Sequence, residues 1–286
     1  MQFITEIIIK VLTVFKYKSI SNFVTDNLRG NMSNELANKP LVEALFEIKW
    51  ELKESKKRGK HDPNYKILVG MLYDKLNKEY PYFEPLDAAE LPDEMAAHIV
   101  QNRFRVAEDQ WPVVQIGPGI ITVNDTQNYK WEDFEKKILN VLRILIDIYP
   151  NRENLVFNSI LLRYINVIEE FEGDGDTFAF LKENMHTEIN LDEKLFEETG
   201  VKNLPLSFEF NISFGSTKPK GAVILRLAKG KIDNRPRLGL ETMVLSLKKD
   251  VPNSTEDIHK WIKEAHNLTD DWFFKLIEGD LKRRFE

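Results

Sequence analysis

One arrangement runs through this chain twice, and that repetition limits the folds open to it. Pro40–Leu52 (PLVEALFEIKWEL) and Leu155–Glu169 (LVFNSILLRYINVIE) both read as long opening strands, rich in charge for segments so apolar. In the first, Val42, Ala44, Phe46, Ile48, Trp50 and Leu52 fall on one face. Glu43, Leu45, Glu47, Lys49 and Glu51 fall on the other, the period of two expected of a half-buried strand. The second is apolar on both faces, as suits a central strand.

After the first opening strand, Lys53–Lys60 reads as a solvated basic loop. A helix is predicted from Asp62-Pro63 to Tyr80, with Ile67, Leu68, Met71, Leu72 and Leu76 turned inward. Pro81–Pro92 reads as irregular, followed by strands at Ile99–Ala107, Val113–Ile116 and Ile120–Asn124 and by a helix over Trp131–Tyr149. The second copy continues with helical segments from Thr177 and around Leu191–Glu198, then strands at Leu206–Phe214, Ala222–Lys231 and Arg237–Lys248. A last helix runs from Thr255 to Leu276, capped by Ser254 or Thr255. Strand, helix, three strands, helix, twice over, predicts an α+β fold built from a duplicated unit. Two curved antiparallel sheets would join edge to edge with the long helices on one side, a saddle of the TATA-binding-protein type by analogy. The chain then divides into an extension over 1–37, a first repeat over 38–150 and a second over 151–286, the two repeats packed as one globular unit.

With 286 residues, 42% of them hydrophobic, the chain can bury a real core. A net charge of −6 argues against a generally basic surface for nucleic acid, leaving only local patches. The absence of cysteine excludes disulfides, thiolate nucleophiles and cysteine-held metals, and suits a reducing cytoplasm. Phe3–Phe15 is apolar but is interrupted by Glu6 and Lys10 and is too short for a bilayer, so no membrane or secretory role is expected. It reads either as an amphipathic helix docking on the body or a partner, or, the preferred reading, as an extension upstream of a natural start at Met32.

Phosphate-binding glycine loops, a dinucleotide fingerprint, a zinc-protease helix and a nucleophile elbow are all missing, and no cofactor is expected. The five histidines are scattered; His259 and His266 could share a helix face, but surface positions are commoner than ligands. Asp174 and Asp176 begin like a calcium loop without its remaining ligands. No metal site is therefore expected.

The strongest local candidate is Leu162–Glu169. Arg163 sits in an apolar strand and must find acceptors, for which Glu43 and Glu47 are the expected partners if the two opening strands meet. Two readings stand: a buried ion pair that fixes register, or an anion or partner pocket using Arg163, Tyr164 and Asn166. Acid–base work by Glu43 and Glu47, about 7 Å apart on one strand face, is a further version of the second. A basic hairpin (Lys218, Lys220, Arg226, Lys229, Lys231, Arg235, Arg237) carries one acidic residue, Asp233, while Glu169–Glu198 holds eleven acidic residues against Lys182 and Lys194. These are ordinary solvated faces or, for the hairpin, a surface for phosphate backbones or an acidic partner. It contains no aromatic residue for stacking on single strands. Trp261, Ala265, Leu268, Trp272 and Leu276 form a helical stripe, leaving Phe273 and Phe285 as exposed aromatics for a protein interface.

Asn38–Ile48 (NKPLVEALFEI) together with Leu162–Asn166 (LRYIN) resembles a sporadically distributed prokaryotic family whose members open with a Pro-Leu-Val-Glu strand and carry Leu-Arg-Tyr-Ile-Asn at mid-chain. The resemblance covers Asn38 to Leu276. It implies a prokaryotic source and an accessory, mobile role, with no catalytic residues to carry over. Two function classes follow. One is a non-enzymatic binding or assembly protein with a protein partner or self-association, an accessory component of a mobile system such as phage defence or toxin control. The other is an enzyme acting on nucleic acid or a small anionic substrate through Arg163, Tyr164, Asn166, Glu43 and Glu47.

Overall fold

The computed structural model describes residues 36–56, 59–92, 95–126, 129–168, 176–232 and 235–286, with backbone alone at 231–232 and 235–236. The apolar Phe3–Phe15 stretch, Asp174 and Asp233 lie outside the described residues, as do the side chains of Lys231 and Arg235.

Alternating and apolar segments become strands β1 (Leu41–Trp50), β2 (Lys53–Ser55), β3 (Gly59–His61), β4 (Tyr82–Pro85), β5 (Asn102–Arg105), β6 (Val113–Gly117) and β7 (Ile120–Asp125). The second half supplies β8 (Phe157–Ile168), β9 (Phe208–Thr217), β10 (Lys220–Ile232) and β11 (Arg235–Leu247). Segments with helical periodicity give α1 (Tyr65–Leu76), α2 (Trp131–Ile148), α3 (Thr177–Asn184), α4 (Thr255–Leu276) and α5 (Asp280–Phe285).

Nine strands form one sheet in the order β4-β5-β6-β7-β1-β8-β11-β10-β9, every neighbouring pair antiparallel. The two opening strands lie side by side at its centre, with Leu45 opposite Arg163 and Ile48 opposite Ile160. Strands β2 and β3 form a separate hairpin, so the stretch read as a loop is partly paired.

The period of two sends alternate residues to opposite faces, and the helices cover one of them. Ala44, Phe46, Ile48 and Trp50 of β1, and Ile160, Leu162 and Tyr164 of β8, join Leu68, Leu72, Phe134, Ile138, Val141, Ile258, Trp261 and Ile262 in one buried cluster. A second cluster under α3 and α5 gathers Leu181, Leu225, Leu227, Leu238, Leu240 and Leu281. The turn between β6 and β7 is Pro118-Gly119, with Gly119 at φ +77°, the conformation a type II turn requires and glycine supplies freely. At the start of α4, the Ser254 hydroxyl accepts a hydrogen bond from the Asp257 N–H at 3.0 Å.

Three expectations are corrected. Helix α1 buries Tyr65, Leu68, Leu72 and Leu76 but leaves Ile67 63% and Met71 37% exposed, because a single-sided contact accommodates only one stripe of a helix. The segment Pro81–Pro92 is not wholly irregular: Tyr82–Pro85 is strand β4 at a sheet edge, where proline is tolerated. Phe285 packs against the second cluster instead of standing free. Among the described residues no helix is long and apolar enough to cross a membrane.

Candidate functional site

Strand β8 carries two sets of polar side chains, and its alternation separates them. Tyr164 and Asn166 point to the helix side, while Arg163 points to the face that the described helices leave uncovered. The group Arg163, Tyr164, Asn166, Glu43 and Glu47 is thus not one site.

On the helix side, a cavity of about 260 Å³ opens where β8 and β11 meet the start of α2 and the last turns of α4. At its base the Tyr164 hydroxyl lies 3.0 Å from the Tyr129 hydroxyl and 3.0 Å from His266 Nδ1. The His266 ring stacks on Trp131 with centroids 3.7 Å apart and planes at 11°. Tyr129 meets Tyr164 edge to face at 5.9 Å. Two hydroxyls and an imidazole in a row form a chain whose protons can all point toward His266 or all away from it.

Burial sets the protonation of this chain. It raises the Tyr164 hydroxyl well above the ordinary tyrosine range, reinforced by Tyr129, and raises Tyr129 as well, opposed by its hydrogen bond to Tyr164. It pushes His266 down to about 4, so the imidazole is neutral at pH 7 and offers one acceptor and one donor. Burial also raises the Asp270 carboxyl at the cavity wall, helped by its neighbour Asp271.

Two further polar groups line the cavity. Thr242, opposite Tyr164 in the register, is fully buried and its hydroxyl has no hydrogen-bond partner among the described residues. Asn166 is 4% exposed and its amide likewise makes no side-chain hydrogen bond there. Trp131, Phe273 and Phe274 supply aromatic wall, so Phe273 belongs to this cavity and not to a free surface. At the rim, Lys39 Nζ donates to the Tyr129 carbonyl at 3.0 Å.

The opposite face carries a row of polar side chains across the sheet. Arg103 Nε donates to Gln115 Oε1 at 2.7 Å. Gln115 Nε2 in turn donates to Thr122 Oγ1 and Asn124 Oδ1, both at 3.1 Å. Asn124 Nδ2 donates to Glu43 Oε1 at 2.6 Å. Burial raises the Glu43 carboxyl, opposed by that hydrogen bond and by the nearby Arg163. Arg163 Nη2 then pairs with Glu241 Oε2 at 2.8 Å, and Arg226 reaches Glu241 at 3.5 Å and Glu209 at 3.0 Å. Arg163 therefore takes its carboxylate from β11, not from Glu43 or Glu47. Glu47 pairs with Lys49 of its own strand at 2.6 Å, which leaves Glu43 and Glu47 in different surroundings and not as an acid–base couple.

The basic hairpin is divided in the same way. Arg226 turns into the polar row, whereas Lys229 lies on the helix side, the parity of the strand separating them. Lys218 pairs with Glu264 at 3.8 Å and Lys220 with Asp250 at 2.8 Å; Lys229 and Arg237 also have partners. His259 bonds to Glu135 at 2.8 Å, away from His266, and no group of three or more metal-ligating side chains occurs among the described residues.

Sequence reasoning singled out Tyr164 and Asn166 but missed Tyr129, Trp131, Thr242 and Asp270 as their companions. His266 was visible only as one of a spaced pair. Its approach to Tyr164, 102 residues earlier, follows from the docking of α4 on the sheet, which leaves no local signal. No protein-family model matches the chain, and no curated protein matches it.

Proposed function

We propose that the protein is a binding protein whose ligand is a small, mainly apolar molecule with a hydrogen-bonding group, held in the cavity between β8, β11 and α4. The observation that carries this reading is the Thr242 hydroxyl, fully buried at the cavity wall without a hydrogen-bond partner among the described residues. A buried hydroxyl left unpaired costs on the order of 1–3 kcal/mol, a cost that a bound donor or acceptor removes. The aromatic wall and the Asn166 amide supply the apolar bulk and orienting polarity typical of small-molecule sites.

Apart from the added edge strand β4, the strand order runs alike on either side of the central pair, β7-β6-β5 beyond β1 and β11-β10-β9 beyond β8, which supports reading the fold as a duplicated unit, saddle-like by analogy. The resemblance carried by Asn38–Ile48 and Leu162–Asn166 adds an accessory role in a mobile prokaryotic system such as phage defence or toxin control, in the cytoplasm. Recognition of an acidic partner or nucleic acid by the hairpin belongs to the same reading, though its Lys218, Lys220 and Arg226 are already paired.

The test is mass spectrometry of small molecules released from the purified protein, alongside Thr242→Val. The variant keeps the shape and removes the hydroxyl, so the empty protein should be at least as stable as wild type while the ligand is lost or weakened about tenfold. No compound released from the wild-type protein, or a compound held equally well by wild type and Thr242→Val, would overturn the reading. A second reading, an enzyme, rests on the Tyr129–Tyr164–His266 chain, which is suited to passing a proton. Turnover of the bound compound that disappears in Tyr164→Phe would establish it.

A further inference from the structure

The two edges of the nine-stranded sheet are built differently. The β4 edge has four residues, ends in Pro85, and carries Glu84 held by Arg105 at 2.7 Å. Shortness, proline and charge are the usual protections against pairing with another chain. The β9 edge has ten residues and lacks two of these protections, shortness and proline. It is paired along its whole length to β10, from Phe208 opposite Lys229 to Thr217 opposite Lys220. It contains no proline and no basic residue, and its one charge, the exposed Glu209, is paired with Arg226 of β10 at 3.0 Å. Among the described residues no strand pairs with its outer side.

We propose that β9 is a dimerisation edge, to which a second copy of this chain adds its own β9 antiparallel, joining the two nine-stranded sheets. Self-pairing about a two-fold axis at Ile212 opposes Phe210 to Phe214 of the second copy, and the reverse. Asn211 then faces Ser213, Glu209 faces Gly215, and no like charges meet. The aromatic pairs extend an existing group, since Phe214 already packs edge to face on Trp272 at 5.6 Å. Phe214 is otherwise left 45% exposed at this edge. In this register the added strand lies along Phe214, and the aromatic pairs together with the absence of facing like charges favour an identical strand over an unrelated one.

Sedimentation velocity on the full chain over a wide concentration range should show a dimer. In Asn211→Glu with Ser213→Glu, each new carboxylate faces one from the second copy, while within one chain the glutamate at 211 stands opposite Arg226. This variant should be monomeric yet folded, with a native circular dichroism spectrum and a melting temperature that no longer depends on protein concentration. The chain has no cysteine, so Ile212→Cys should give a disulfide-linked dimer on mild oxidation and Thr217→Cys should not. A monomer at every concentration overturns the proposal. So does a dimer that survives the two glutamates, or a dimer without the Ile212→Cys cross-link. None of these outcomes bears on the cavity, whose ligand is tested separately.

Discussion

His266 makes the stability of the protein depend on pH in a calculable direction. In the unfolded chain it titrates near its ordinary value of 6.5, and in the fold burial lowers it to about 4. Between these values the unfolded chain binds a proton that the folded one does not, so stability falls as pH drops through this window and the loss levels off below it. A shift of this size corresponds to a loss on the order of 3 kcal/mol. Asp270, raised by burial, works with the opposite sign but is common to wild type and variant. His266→Gln keeps an acceptor for Tyr164 and removes the titration. Urea unfolding of both proteins at neutral pH and near pH 4 should show wild type losing more stability than the variant; equal losses would refute the assignment. At this scale the sequence was partly legible. Alternation along β8 singles out Tyr164 and Asn166 as a pair, but which carboxylate meets Arg163 depends on the register of β11, whose Glu241 is 78 residues away.

Elements show where a backbone position is constrained by its neighbours and where it is open. Gly117 ends β6, and a Cβ there would collide with the Ile99 carbonyl and its carbon, backbone atoms that cannot swing aside. Gly70 lies inside α1 with nothing within 4 Å of an added Cβ. Gly117→Ala should therefore cost more than about 2 kcal/mol, whereas Gly70→Ala should stabilise by about 0.5–1 kcal/mol through helix propensity. Thermal or urea unfolding of the two variants reads both, and destabilisation by Gly70→Ala would mean that α1 packs more closely than it does here. Helices α2 and α4 were readable because each buries one long stripe, and the Ser254 cap is a local signal. Strand β4 was hidden by Pro81 and Pro85, and the exposed Ile67 and Met71 of α1 by a hydrophobic pattern wider than the surface available to bury it.

For the molecule as a whole, the seam between β1 and β8 decides whether the halves are separable. Backbone pairing runs from Leu41 opposite Asn166 to Trp50 opposite Phe157, and one buried cluster holds Phe46 and Ile138 from the first half with Leu162, Val244 and Ile262 from the second. The polar row also crosses the seam, where the Arg163 charge favours the ionised Glu43 carboxyl. Residues 36–150 alone would leave β1 as a ten-residue edge with half its core facing water, and 151–286 would expose β8 in the same way. Each half expressed alone should therefore be insoluble or lack cooperative unfolding, while the two co-expressed should associate into a folded complex. The intact chain should unfold in a single transition by far- and near-ultraviolet circular dichroism. Two separate transitions, or a half that melts cooperatively alone, would show that the repeated sequence pattern encodes two domains. A single transition would show that the meeting of the opening strands, which neither half specifies alone, fuses the two halves into one cooperative sheet.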